Sequence, residues 1–442
     1  MFKKSSTQTK EPPVSVKNIK KAKKKNKPAK VRGLSDVLPR DEEMWKFLWN
    51  AIHTLSELHD YHLIETPPLE LERFVMPVFS KMSDAPNPLC SVKLPNGESA
   101  TLSPVPELGV IRSYCDEHLG YYASPLKVFH KGPVFRHVKG GKEISEFYEY
   151  GFEIVGESND PIYDGQLILT ALDFVKILKI KGVALKVSSL GCKSCRGTFR
   201  DNAKSYYNSH KAKLCSSCSE MLETGGPLQR FLCEEEKCKL IHSESPTILD
   251  YMCHGCNNHF KTVLEILEEN EVAYEPDPRL TRAFPFYNRT VFEIWAQGNI
   301  LGVGGRYDYL SEMMRARSVP GAGVSFFVDS LFAEIKSQQI STVFGKTKPK
   351  TFFIAVGEQA RRGSLKIIND LRMHGMPVIE SLGKKSLKAQ LKAAEKSGAK
   401  FALILGQREV FEGTVIFRDL ITGAQETLVA KSVVEEIKKR CK

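Results

Sequence analysis

Eight of the eleven cysteines fall in four close pairs between Leu190 and His259: Cys192 and Cys195, Cys215 and Cys218, Cys233 and Cys238, and Cys253 and Cys256. A loop of this kind puts two thiolates on one side of a tight turn, and two such loops close a tetrahedron around Zn2+. The eight thiols therefore suit two structural four-cysteine zinc sites, each with no coordination position left for water. Disulfides are the competing use, disfavoured because nothing in the sequence points to an oxidising compartment. Spacing alone does not say which pairs would share a metal.

The second stretch with chemistry in it is RAFPFYNRTVFEIWAQGNILGVGGRYDYL, from Arg282 to Leu310. An apolar run from Thr290 to Trp295 reads as a buried strand, and Gly304 and Gly305 precede Arg306, Tyr307 and Asp308. Guanidinium forks grip carboxylate or phosphate bidentately. Two arginines, two carboxylates (Glu293 and Asp308) and several aromatics on glycine-punctuated strands thus predict a pocket wall for a small zwitterion beside an anion. An antiparallel sheet with ordinary ion pairs is the plain alternative.

These residues need elements to hold them. The 442 residues, 42% apolar, are enough for two or three full cores. Asp41 to Leu58 has helical spacing with Trp45, Leu48, Ile52 and Leu55 on one side, and YHLIETPPLE (Tyr61 to Glu70) reads as a strand ended by Pro67 and Pro68. Asn96-Gly97 marks a hairpin; LKVFHKGPVFRHV and EFYEYGFEIVG read as two antiparallel strands, and Pro161 to Lys179 as a helix. Pro320 to Ile335 is expected to be a glycine turn running into an apolar helix. From Lys350 strands alternate with helices, which predicts a separate α/β domain with a parallel or mixed sheet and one basic face along GKKSLKAQLKAAEK.

The formal charge of +12 is concentrated in residues 1–32, which carry twelve Lys and Arg against Glu11 and leave the rest close to neutral. Such a lysine-rich tail is expected to be disordered and able to attract RNA phosphates. No run reaches transmembrane length, so no membrane partner is expected, and the cytosol is the default compartment.

Taken together, several of these stretches resemble the class II histidyl-tRNA synthetases, from about Val31 to the C-terminus: RGLSDVLP at the entry, YHLIETPPLE as motif 1, FR with EFYEYGFEIVG as motif 2, SSLGCKSCR opening the insertion, RAFPFYNRTVFE as the histidine segment, GGRYDYL after it, and AVGEQARR with LKAQLKAAEKSGAKFALILG as the anticodon-binding domain. The resemblance implies an α+β fold: an antiparallel-sheet catalytic domain over residues 32–340, a Cys-rich insertion at about 190–262, and an anticodon-binding-like domain over 350–442, with residues 1–31 outside it. It also implies a homodimer through motif 1, tRNA as partner, and histidyl-adenylate formation from ATP with Mg2+. Carried over residue by residue, Arg136 takes the place of the motif 2 arginine on the α-phosphate and Arg282 that of the arginine stabilising the pentavalent phosphorus. Glu153 matches a carboxylate lining the substrate site, and Tyr287, Arg306 and Tyr307 match the pocket frame.

The departures are equally specific. Ser330 stands where the family's motif 3 arginine contacts ATP, and Phe327 replaces a glycine beside the nucleotide. Val138, Lys142, Glu143 and Ser145 replace the charged pattern of the motif 2 loop, and Glu149 replaces a glutamine. SPVPELG (Ser103 to Gly109) replaces the turn whose glutamate holds the substrate ammonium, with Glu107 two residues past that position and able to substitute for it. Removing one preorganised donor to transition-state charge costs about 3 kcal/mol, or roughly a hundredfold to a thousandfold in rate. The expectation is therefore an RNA-binding relative with weak or absent aminoacylation. A working histidine-tRNA ligase and a histidine-sensing regulatory subunit are the alternatives, the last disfavoured by the domain after Lys350.

Overall fold

The computed structural model describes residues 29–80, 89–138, 143–156, 158–224, 233, 235–282, 284–342, 351–383 and 386–440. The basic tail up to residue 28 and Lys142 of the motif 2 loop lie outside them. The chain forms two compact units, one through Thr342 and one from Val343.

The larger unit is built on an eight-stranded sheet. From one edge its strands are His62–Leu63, Leu126–Val138, Glu143–Val155, Gly321–Phe327, Asn299–Arg306, Asn288–Ala296, Val183–Ser189 and Glu275–Pro276. The six long strands pair antiparallel throughout, and only the two short edge strands pair parallel. Alternation along each strand divides the sheet into two faces. One face carries Phe129, Phe152, Phe292, Ile294, Val324 and Phe326 into a core shared with the helices Glu42–His59, Pro161–Ile177, His254–Glu269 and Val328–Ser337. The first of these helices buries Leu48, Ile52 and Leu55, as its spacing predicts, together with Phe47 and Ala51, while Trp45 is half-buried. The second starts on Pro161 behind Asp160, whose carboxylate accepts from the Ile162 amide at 2.9 Å.

The opposite face meets the helices Glu72–Phe79 and Pro106–Asp116 through Val128, Val155, Val291, Phe286, Tyr287 and Tyr307. A small sheet of Leu69–Leu71, Ser99–Leu102 and Cys90–Lys93 lies alongside, with Gly97 at φ +84° in its hairpin turn.

Two expectations change. YHLIETPPLE contributes to two different sheets, through His62–Leu63 and Leu69–Leu71. The glycine-rich segment after Pro320 is a central strand, Gly321–Phe327, and not a turn. Its glycines serve close packing: a Cβ at Gly321 would lie 2.2 Å from the Tyr307 ring, and one at Gly323 would lie 1.6 Å from Glu153 Oε2.

Between Val183–Ser189 and the helix His254–Glu269 the chain leaves the sheet to form the helices Lys193–Ser209, Ser216–Thr224 and Glu236–Ser243. Their core is small and mixes Phe199, Ala203, Tyr207 and Ile241 with Cys195, Cys218, Cys238 and Cys256. Thiols thus occupy positions that a larger domain would give to leucine or valine.

The smaller unit has a five-stranded mixed sheet. Val378–Glu380, Thr351–Ala355 and Phe401–Leu405 run parallel, and Thr414–Asp419 and Gln425–Val429 extend it antiparallel. The helices Glu358–Met373, Leu387–Lys396 and Val433–Arg440 pack against it. No helix among the described residues is long and apolar enough to cross a membrane.

Candidate active site and thiol centres

Residues paired across neighbouring strands share a face of the sheet. One row runs Val128, Glu153, Gly323, Gly305; the next runs His130, Gly151, Ser325, Val303, Glu293; a third places Glu149 opposite Phe327. Arg136, six residues beyond His130 on the same strand, faces the same way. The sheet therefore gathers Glu149, Glu153, Glu293, His130 and Arg136 onto the face away from the main core, and the helix Pro106–Asp116 adds Glu107.

The polar groups here are paired with one another. Tyr307 donates from its hydroxyl to Glu153 Oε2 at 2.6 Å, and His130 Nε2 lies 3.1 Å from Glu153 Oε1. Tyr287 donates to Glu107 Oε1 at 2.7 Å. Arg136 bonds Glu149 at 2.8 Å and the Pro104 carbonyl at 2.7 Å, with the Phe147 and Phe284 ring centroids 5.2 and 5.4 Å from its guanidinium carbon. Arg282 bonds Glu293 at 2.7 Å and the carbonyls of Thr281 and Phe292, while the second Glu293 oxygen accepts from Trp295 Nε1 at 2.9 Å.

Burial moves the protonation equilibria towards neutral forms. It pushes Glu107 up to about 7, helped by the neighbouring Glu153 and opposed by the Tyr287 hydrogen bond. Glu153 is raised well above the usual carboxylate range, again chiefly by burial, and the same desolvation lowers His130.

Arg306 stands apart from this group. It pairs with Ala322, a member of the main core, so its side chain leaves the sheet on the other face. There it is 1% exposed, 2.6 Å from Asp164 and 3.0 Å from Asp308, and donates to the Asp160 carbonyl at 3.0 Å. Asp164 also accepts from Thr290 and lies 2.6 Å from His259 Nε2. Burial alone would raise the Asp164 pKa, but Arg306 and His259 hold it below the usual range. The sequence-predicted site residues thus divide: Arg136, Glu107, Glu153, Tyr287, Tyr307 and Arg282 come together, and Arg306 braces the sheet from behind.

Sequence reasoning passed over His130, Asp164 and His259. Counting in twos along KVFHKGPVFR puts His130 in phase with Arg136, a signal that was there to use. Asp164 and His259 are 95 residues apart, and neither helix hints at the other locally.

The thiols settle the pairing left open by spacing. Cys192, Cys195, Cys253 and Cys256 form one group, and Cys215, Cys218, Cys233 and Cys238 another, each with all sulfurs within 4.8 Å of one another. A tetrahedral zinc thiolate has sulfurs about 3.8 Å apart; Cys192 to Cys195 is 3.5 Å and Cys215 to Cys233 is 3.9 Å. Either group could hold a metal ion. Burial raises the Cys192 pKa, but hydrogen bonds from the Cys195 amide and thiol outweigh it and bring it down to about 7; the Cys218 amide does the same for Cys215.

Two family models match the sequence, Histidyl-tRNA synthetase over residues 234–331 and Anticodon binding domain over residues 350–440. The histidine–tRNA ligase of Desulfitobacterium hafniense is 33% identical over 419 residues, covering 93% of this chain and 98% of that one. That of Desulforamulus reducens is 32% identical over 416 residues. Among solved structures, the apo histidyl-tRNA synthetase of S. aureus superposes with a TM-score of 0.75 at 24% identity, covering 93% of this chain and all of that one. An ATP phosphoribosyltransferase regulatory subunit/histidyl-tRNA synthetase from Bacillus halodurans gives 0.57 at 19% identity and covers 86% of this chain. With the antiparallel sheet, the C-terminal domain and near full-length similarity in agreement, this chain belongs to the histidyl-tRNA synthetase family.

Proposed function

We propose that this chain uses the synthetase scaffold to bind tRNA or a related RNA, and that histidyl-adenylate formation in it is weak or absent. The observation that carries this reading is the state of the two arginines expected at the phosphates: Arg136 is paired with Glu149 and Arg282 with Glu293. Four carboxyls (Glu107, Glu149, Glu153, Glu293) and two arginines share the pocket, and Phe327 stands in register with Glu149 where the family carries a glycine. Bringing the ATP triphosphate here means breaking charge-assisted pairs while placing a polyanion beside the freed carboxylates. These residues do not fit ATP with Mg2+ well.

On the same reading the domain division is 32–340, with the insertion at about 190–262, and 350–442. The insertion binds two structural Zn2+ ions, and the second domain contacts RNA. A homodimer and a cytoplasmic location accord with the family. The test is a pair of assays on one preparation: gel-shift titration with a histidine tRNA transcript and charging of that transcript with labelled histidine. Binding without charging supports the proposal, and charging at the rate of an ordinary synthetase refutes it.

One observation favours the second reading, a pocket that still activates histidine. Glu107 Oε2 and Ser325 Oγ are buried on the pocket side and have no hydrogen-bond partner among the described residues. Such atoms suit a small polar ligand.

A further inference from the structure

The chain leaves the main sheet for the insertion and returns from it at one place, and one of the two thiol groups sits there. At the exit, the Leu190 amide donates to the Arg289 carbonyl at 2.7 Å and the Arg289 amide to the Gly191 carbonyl at 3.0 Å. Cys192 then stands at the N-cap of the helix Lys193–Ser209, with Cys195 in its first turn. At the return, Cys253 stands at the N-cap of the helix His254–Glu269, with Cys256 in its first turn. The Cys253 amide donates to Cys195 Sγ at 3.1 Å across 58 residues of sequence. Two helix N-termini thus meet over four sulfurs, an arrangement that favours thiolate. Cys215, Cys218, Cys233 and Cys238 all lie between these two points, inside the insertion, where the Cys215 amide donates to Cys238 Sγ at 3.2 Å.

The return helix carries this neck into the main core. His259, three residues past Cys256, is 6% exposed with its Nε2 2.6 Å from Asp164, and Val263 and Leu267 on the following turns belong to the core itself. Asp164 holds Arg306, and the next residue, Tyr307, holds Glu153 in the pocket. We propose that the Cys192, Cys195, Cys253 and Cys256 centre is a metal-operated clasp. Zinc bound there fixes the start of the helix His254–Glu269, and its loss loosens the pocket through His259, Asp164 and Arg306; the other centre stabilises the insertion alone. The inference rests on the structural-zinc reading above and divides the two ions by role. Coupling of this kind needs an element with two arrangements. The first turn of the helix is that element, because its amides have no partners within the helix: metal-bound sulfurs order it, and without the metal it is free to fray. The buried groups behind it pass the change on, since they tolerate little slack. Moving His259 away removes one of the bonds that hold the Asp164 carboxylate, and Asp164 is the partner that fixes Arg306.

The test counts zinc and follows amide hydrogen exchange by mass spectrometry in the full chain. The proteins are wild type, Cys253→Ala, Cys215→Ala, His259→Ala and the double variant Cys253→Ala/His259→Ala. Cys253 is exposed, so its replacement removes no buried side chain. With one ion lost, Cys253→Ala is expected to exchange about tenfold faster than wild type in the helix Pro161–Ile177 and the strand Asn299–Arg306, as a local opening becomes easier. Cys215→Ala, also one ion short, should match wild type in both segments and exchange faster in the helix Glu236–Ser243. His259→Ala should keep both ions yet speed exchange in the strand, and the double variant should add little to it, since the two changes act on one path. Unchanged exchange in Cys253→Ala, the same rise in Cys215→Ala, or additive rises in the double variant overturn the clasp and leave the zinc reading standing. Wild type without zinc, or Cys253→Ala that keeps both ions, removes the zinc reading and the clasp with it. Should Cys253→Ala fail to fold, wild type stripped of zinc by a chelator is read in the same two segments, and exchange unchanged there overturns the clasp.

Discussion

The guanidinium of Arg306 meets the carboxylate of Asp164 at 2.6 Å on the helix-covered face of the sheet, behind the pocket that Glu153 and Tyr307 line. This pair ties the strand Asn299–Arg306 to the helix Pro161–Ile177, and His259 brings in the helix His254–Glu269, which also carries Cys256. Removing the arginine leaves Asp164 and Asp308 buried without their counter-charge, a defect that costs about 3–5 kcal/mol. Arg306→Leu is therefore expected to lower unfolding free energy by that amount in urea titrations. Arg136→Leu should cost less, since the Arg136 side chain is itself 21% exposed and its loss strands one buried carboxylate, Glu149, where Arg306 serves two.

Glu107 gives stability a pH dependence. Its folded pKa of about 7 lies above the ordinary 4.5, so between those values the folded state holds a proton that the unfolded state has lost. The contribution is complete below about pH 4.5 and is lost as pH rises through about 7, amounting to roughly 3 kcal/mol. Glu107→Gln cannot titrate. The stability difference between wild type and this variant, followed by chemical denaturation from pH 5 to pH 8, should move against wild type as pH rises; a flat difference contradicts the burial argument.

Gly323 exists as glycine because Glu153 needs its space. A Cβ there would fall 1.6 Å from a carboxyl oxygen that is held by Tyr307 and cannot swing aside. Gly323→Ala should cost about 1–3 kcal/mol. In a Glu153→Ala background the same substitution should cost much less, so a double-mutant cycle should return a large coupling. Additive effects count against the close approach seen here.

Metal content can be counted directly. Two four-thiol groups predict two zinc ions per chain by elemental analysis. Cys256→Ser and Cys238→Ser should each lose one ion and the double variant both, whereas a pairing that placed these two cysteines on one ion would leave the double variant with the other. Chelation should melt the insertion, since four of the eleven buried residues of its small core are those thiols.

Much of this was legible in the sequence because it is local. Alternation marks the long hairpin from Leu126 to Val155, close spacing marks the four cysteine pairs though not which pairs meet, and helical spacing marks the first long helix. What stayed hidden depends on residues distant in sequence. The glycines after Pro320 read as a turn because their reason for being glycine, the Tyr307 ring and the Glu153 carboxyl, arrives from other strands. Arg306 was placed in the pocket beside Tyr307, although neighbours on a strand point to opposite faces. The ion pairs that occupy Arg136 and Arg282 are likewise tertiary, and no motif announces them.

On the function proposed above, these pairs, with Phe327, leave the adenylating chemistry weak or absent. Histidine-dependent exchange of pyrophosphate into ATP by the purified chain tests it most directly, with Arg282→Ala as the control for contaminating synthetase. Exchange is expected to be at or only slightly above the level of that control. Robust exchange that requires histidine and vanishes in Arg282→Ala would contradict it, and would mean that Glu107 and its neighbours have rebuilt a working site.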